Sequence, residues 1–282
     1  MQPFYRYLLV LSALVLLRPE PGASQVVGEY LGDEYLLYAE TKQINQFFRR
    51  FNSEEDMKGR RLDPGNRDYR KAENRRKYIG MIVDKENPEL LGNTLASFID
   101  DVVGSPEPQF LDFYGNRWFA EVEARVRYEG RTQRAILFLS LEEENLGYKW
   151  VITNAYFHPF TKWFYNDSTA AGRFLHPMSH ELDFMNLIKV FRDRENLEYY
   201  FDVDYKPDFR TLFLFEVKKG NLIFEAVESV KFHFFQVKDW YFEIREFNRS
   251  GANSGWLISS VSRIPENQKD LLLKFIQYEN IR

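Results

Sequence analysis

Four histidines and scattered carboxylates are what this chain offers for acid–base or metal chemistry, since it contains no cysteine. His176 and His180 stand four residues apart in His176-Pro177-Met178-Ser179-His180-Glu181. On a helix that spacing puts both imidazoles on one face, where a metal could bind. Pro177 argues against it, because proline suits the first turn of a helix and leaves His176 just outside. No third ligand and no H-E-x-x-H pattern completes the set, so no metal is expected. Asp202-Val203-Asp204 with Asp208 has the acidic spacing of a calcium loop but lacks its glycine at the sixth position and its glutamate at the twelfth. His233 lies in a run where Val230, Phe232 and Phe234 face one way and Lys231, His233 and Phe235 the other. The apolar set belongs to the core, so His233 is expected half exposed on the polar face. There is no nucleophile elbow, P-loop or dinucleotide fingerprint, and no cofactor is expected. Gly251-Ala252-Asn253-Ser254-Gly255 reads as a hairpin loop.

The elements that must position these residues follow from periodicity. Ile44, Phe47, Phe48 and Phe51 fall at i, i+3, i+4 and i+7, which predicts a helix over 40–51. The basic stretch 67–84 interleaves Arg67, Arg70, Lys71, Arg75, Arg76 and Lys77 with Tyr69 and Tyr78. It has two readings, an anionic-surface patch or a solvated helix with an apolar stripe at Tyr78, Ile79, Ile82 and Val83. The second is favoured, because the charge is local. A shorter helix follows Asn87-Pro88, with Leu90, Leu91, Leu95, Phe98 and Ile99 inward.

From Gln109 the period becomes two. Strands are predicted at 110–114, 118–128, 132–141 and 148–157, joined by tight turns into an antiparallel meander. In the second of them Phe119, Glu121, Glu123, Arg125 and Arg127 share a charged face, and Ala120, Val122, Ala124 and Val126 an apolar one. That pattern predicts a sheet covered by helices on one side. Further strands are expected at 211–218, 221–235, 237–246 and 256–264, after a helix over 177–192. A closing helix over 266–278 has Leu271, Leu272, Phe275 and Ile276 on its buried side. Trp150, Trp240 and Trp256 are expected in the core or in cross-strand pairs.

The N-terminus reads as an export signal: Arg6, an apolar run from Tyr7 to Leu17, then a proline-rich segment ending in small residues, with cleavage before Gln25. Eleven apolar residues are too few for a bilayer core of roughly 30 Å, so the mature chain is expected not to span a membrane. The formal charge of −4 argues against a nucleic-acid partner. An exported chain without disulfides must be held by its cores.

Two landmarks repeat at an offset of about 105 residues. Phe119-Ala120-Glu121-Val122-Glu123 is echoed by Phe224-Glu225-Ala226-Val227-Glu228, and Gly147-Tyr148-Lys149-Trp150-Val151-Ile152 by Gly255-Trp256-Leu257-Ile258. With this element order, the chain resembles the NTF2-like (cystatin-like, SnoaL-like) superfamily over 40–157 and, more loosely, 177–264. The resemblance implies an α+β fold of two tandem cone-shaped domains, each with helices packed on a curved antiparallel sheet. The expected organisation is a signal at 1–24, a first domain at 40–157, an aromatic linker at 158–176 and a second domain at 177–282.

In such folds the mouth of the cone often holds a hydrophobic pocket, for which Tyr114, Tyr199, Tyr205 and His233 are the candidates here. If the chain is an enzyme of this type, an isomerase, dehydratase or hydrolase, then His233, Asp112 or Asp202 would be the base. The favoured expectation is a non-enzymatic periplasmic or extracellular protein that binds a small hydrophobic ligand or an envelope protein. A scaffold component of an envelope complex is the remaining alternative. Fold membership does not choose among them.

Overall fold

The computed structural model describes residues 43–104, 106–144, 147–162, 187–192, 194–201, 205, 207–251 and 253–279. Its centre is an open antiparallel sheet of six strands: β1 (Trp118–Tyr128), β2 (Arg131–Glu144), β3 (Gly147–Tyr156), β4 (Leu222–Phe234), β5 (Trp240–Phe247) and β6 (Gly255–Arg263). The order across the sheet is β3-β2-β1-β4-β5-β6. Two three-stranded meanders thus lie back to back, joined along β1 and β4 with Ala120 opposite Phe232 and Trp118 opposite Phe234. Two sheets were expected from the repeat; the described strands form one. The reason is that the first strand of each meander finds its second neighbour in the other, so two edges that would have needed protection are consumed. Trp150 and Trp256 occupy the corresponding outermost strands, β3 and β6.

Three helices, α1 (Ile44–Asn52), α2 (Ala72–Met81) and α3 (Asn93–Val103), cover one face. Their apolar residues meet β1, β4, β5 and β6 in one core containing Phe47, Phe51, Ile79, Phe98, Ala120, Phe234, Phe242, Ile244 and Ile258. The helices that precede the first meander therefore lie largely over the strands of the second. Phe234 and Phe242 stack with ring centroids 4.6 Å apart, and Phe51 stacks on Phe242 at 5.8 Å. Each such ring removes about 150–250 Å² from water. Arg75, expected on a solvated helix face, is buried. Its guanidinium donates to the carbonyls of Phe51, Val102 and Gln109, and burial lowers its pKa to about 10. It ties α1 to the end of α3 and to the chain that follows, sharing the Val102 carbonyl with the Gln109 N–H.

Four differences from the sequence reading bear on the site. Residues 211–218 form no strand but the interior of helix α6 (Phe209–Lys219). Asp208 caps it by accepting from the backbone N–H groups of Arg210 and Thr211, and Gly220 ends it at φ 76°. The β-favouring Thr-Leu-Phe-Leu-Phe run yields to these two end signals. Residues 110–114 form no strand either; they make a loop stitched by Asn52, whose amide donates to Leu111 O at 2.8 Å while its Oδ1 accepts from Leu111 N at 2.9 Å. The short helix α4 (His158–Thr161) packs Phe160 with Tyr128, Leu222 and α6. In α5 (Leu187–Arg192), Ile188 and Phe191, whose spacing repeats that of Phe48 and Phe51 and so predicts a buried face, are exposed.

The fourth difference concerns the charged face, one end of which is covered. The closing helix α7 (Glu266–Ile276) packs Leu272, Leu273 and Ile276 onto Phe119, Phe138, Phe235 and Tyr241. Leu271 and Phe275, expected inward, are exposed. Buried Lys269 pins α7 by donating to Phe235 O at 3.0 Å and Val237 O at 2.5 Å. An aromatic patch at one end of an otherwise charged face is enough to seat a helix there.

Candidate functional site

On the α7 side, β1, β4 and β5 bring four polar side chains into one line. His233 Nε2 lies 2.9 Å from Glu121 Oε2, and His233 Nδ1 lies 2.7 Å from the hydroxyl of Tyr241. That hydroxyl donates to Glu243 Oε1 at 2.6 Å. The register makes the cluster: His233 is opposite Glu243 on β5 and Phe119 on β1, so Glu121 is the diagonal neighbour. Lys231 adds an ammonium 3.1 Å from Glu121. Three links need three protons; with both carboxylates ionised these are the two ring N–H groups of His233 and the Tyr241 hydroxyl.

Burial pushes Glu121 up, but the hydrogen bond and charge of His233 and the charge of Lys231 outweigh it and hold its carboxyl below the ordinary range. Glu243 is likewise raised by burial and lowered further by the Tyr241 hydroxyl, His233 and Lys231, with a net downward shift. Burial, followed by the Glu243 carboxylate, drives the Tyr241 phenol well above its usual value. These shifts keep both carboxylates ionised and the phenol protonated.

This is where the sequence reading of His233 needs correction. The histidine is on the polar face, as alternation requires, but is only 1% exposed rather than half exposed. Phe119 stacks on its ring at 4.7 Å, and α7 packs on the rings that flank it. A satisfied, covered imidazole can tie three strands together, but it cannot meet a substrate without moving those rings.

The opposite face carries the open site. The helix layer α1–α3 lies over β1 and β4–β6, and at the far margin of the sheet the first half of β3 leaves Tyr148, Trp150 and Ile152 exposed. There Phe113, Tyr114, Leu141, Glu143, Gly147, Tyr148, Lys149 and Trp150 line an open cleft of about 600 Å³. Tyr148 is cross-strand from Glu143, and Trp150 from Leu141. Tyr114, in the loop before β1, brings its ring to 4.5 Å from that of Tyr148. Phe113 stands perpendicular to Tyr114 at 5.1 Å, and Trp118 joins Phe113 to Trp150 at 5.3 and 5.4 Å. Tyr114, Tyr148 and Trp150 are 58%, 44% and 40% exposed, which is unusual for three neighbouring aromatic rings.

The sequence-predicted residues separate on these two regions. Tyr114 lies in the cleft. Asp112 lies beside it: its carboxylate accepts from the Tyr114 N–H at 3.0 Å, and Gln236 bridges its main chain. Asp112 therefore positions the cleft loop. Tyr205 packs against Phe201 at 4.9 Å and is not among the residues lining the cleft. Asp202 and the side chain of Tyr199 lie outside the described residues, as do His176 and His180. Asp208 of the weighed calcium loop is the cap of α6, and its hydrogen bonds from Thr211 and Arg210 hold its carboxyl below the ordinary range.

Tyr148 and Trp150 escaped sequence reasoning as ligand contacts. The missed signal is that two large aromatics at i and i+2 share a face of a strand, and β3 lies at the edge of the sheet. Among the described residues no helix is long and apolar enough to cross a membrane, and no group of three His, Asp or Glu is placed to hold a metal ion. Comparisons with protein-family models, curated proteins and solved structures find no match, so the site rests on its own residues.

Proposed function

We propose that this protein is a non-enzymatic binding module that takes a small organic ligand in the Phe113–Tyr114–Tyr148–Trp150 cleft. The observation that carries the reading is the set of three exposed rings at the cleft, Tyr114 lying against Tyr148 and Trp150 joined to them through Trp118 and Phe113. Exposed aromatics are costly in solubility and, when held rigidly, offer contact area with little conformational entropy left to lose. The ring positions are held from below by Trp118, whose indole N–H donates to Phe113 O at 3.1 Å. Lys149 is the one basic residue lining the cleft, and it is spoken for by Glu144 at 3.0 Å and Glu142 at 3.8 Å. Apart from the Glu143 carboxylate, the rest of the lining is mainly aromatic and aliphatic, which fits recognition better than turnover.

The signal-like N-terminus supports action outside the cytoplasm, in a periplasmic or extracellular space. The back-to-back meanders support an internal duplication, and helices on a curved antiparallel sheet are in keeping with an NTF2-like origin. A second reading, assembly with an envelope partner, is favoured by exposed Leu214, Phe215 and Val217 on α6 and Leu271 and Phe275 on α7.

Saturation-transfer NMR of the purified protein against benzyl alcohol, a methyl glucoside and choline tests the cleft. At least one probe is expected to receive saturation from the native protein, and to lose it in the Tyr148→Ala, Trp150→Ala double variant. No transfer to any probe, or equal transfer in the double variant, would overturn the reading.

A further inference from the structure

The cleft also carries a charge preference, which can be worked out from strand register. β2 and β3 alternate, so Leu141 and Glu143 project to the same side as their partners Tyr148 and Trp150, while Glu142, Glu144 and Lys149 project to the other. Lys149 confirms the division: its ammonium lies against Glu144 and Glu142, the two carboxylates of the opposite side. Among the described residues Glu143 has neither an ion-pair nor a hydrogen-bond partner. The aromatic side of the cleft thus presents the faces and edges of Phe113, Tyr114, Tyr148 and Trp150 with one unneutralised carboxylate. Asp112 beside the Tyr114 loop adds a second negative charge at the rim.

Aromatic faces are electrostatically negative, and they attract cations most strongly when the ion is weakly hydrated. Walls of this kind with an unpaired carboxylate and no available cation repel anions and fit a positively charged organic group. A neutral ring or sugar could stack here as well, but it would leave Glu143 without a counter-charge. A free ammonium or a metal ion is a poorer match, since either holds its water strongly and gains little from the rings. Resting on the cleft as a binding site, we propose that its ligand carries an alkylated ammonium group, of the choline type. The alkyl groups lie on the Tyr114, Tyr148 and Trp150 rings and the positive nitrogen is balanced by Glu143.

The test compares choline with its uncharged isostere, 3,3-dimethyl-1-butanol, by NMR titration of the purified protein at low and high salt. Choline is expected to bind about tenfold more tightly than the isostere. That ratio should fall toward one in Glu143→Gln, while Trp150→Ala weakens both probes. Screening should narrow the ratio at 1 M salt. Phosphatidylcholine vesicles distinguish the two sources of the group: sedimentation of the protein with them marks a lipid headgroup, and binding of free choline alone a soluble ligand. Equal affinity for choline and the isostere, or a ratio unchanged in Glu143→Gln, overturns the cation preference while leaving the cleft as a binding site. Failure of Trp150→Ala to weaken either probe removes the cleft itself.

Discussion

The sheet carries aromatic and polar side chains on both faces and treats them in opposite ways. On the α7 side, Phe119 lies on His233, and Glu121, Tyr241 and Glu243 close the imidazole into a buried line. On the other side, at β3, Tyr148 and Trp150 stand open with Glu143 across from them unpaired. The residues that look chemical are the structural ones, and those that look like core material are the ones free to bind. What separates them is coverage. α7 is seated by Phe138, Phe235 and Tyr241 and roofs its face, whereas the α1–α3 layer lies over β1 and β4–β6 and leaves the margin at β3 open. A histidine among carboxylates is a poor guide to catalysis until its access is known. Three neighbouring rings are an equally poor guide to a core until the cover above them is known.

If that contrast is right, equal truncations on the two faces should fail in different ways. The largest effect is expected from His233→Ala, which strands Glu121 and Glu243 beneath α7. A loss of about 3–5 kcal/mol in urea unfolding is expected, as for removal of one member of a buried charged pair. A loss under 1 kcal/mol would put the network on a par with surface ion pairs. The second effect is acid sensitivity. Glu121 and Glu243 titrate below the ordinary 4.5 when folded, so in acid the unfolded chain binds more protons than the folded one. Their stabilisation is fully present above that value and is lost as the pH falls beneath it. Circular dichroism across pH 3–6 should show a shallower acid limb in the Glu121→Gln, Glu243→Gln double variant; limbs of equal steepness would remove the network from the acid response.

A smaller effect is expected from Trp150→Ala, within about 1 kcal/mol in stability because the ring is only half covered, despite loss of the cleft as a binding surface. A cost above 3 kcal/mol would make Trp150 core. The smallest is Glu143→Gln, within about 0.5 kcal/mol, because that carboxylate has no partner to lose. A clear destabilisation there would mean that it is held by contacts this comparison lacks.

Much of the fold was legible beforehand. Alternation placed β1, β2, β3, β4, β5 and β6 within a few residues, and the i, i+3, i+4 spacing of Phe47, Phe48 and Phe51 set the buried face of α1, because these patterns follow from backbone geometry. Helix α6 was misread because its interior favours a strand while its ends, Asp208 and Gly220, favour a helix, and capping decides. The cleft was half legible: Tyr114 was singled out, Tyr148 and Trp150 were not.

Two things therefore stand on the sequence itself, the order and type of nearly all the elements and the face to which each strand residue points. Facing is a period-two property of the chain and needs no partner. The tertiary structure decided which meander edge met which, and hence that one sheet forms with the helices preceding the first meander over the strands of the second. It also decided which face positions were covered, burying His233 and leaving Trp150 open. Coverage depends on how far a helix from a distant part of the chain extends across the sheet, and no local spacing encodes that distance.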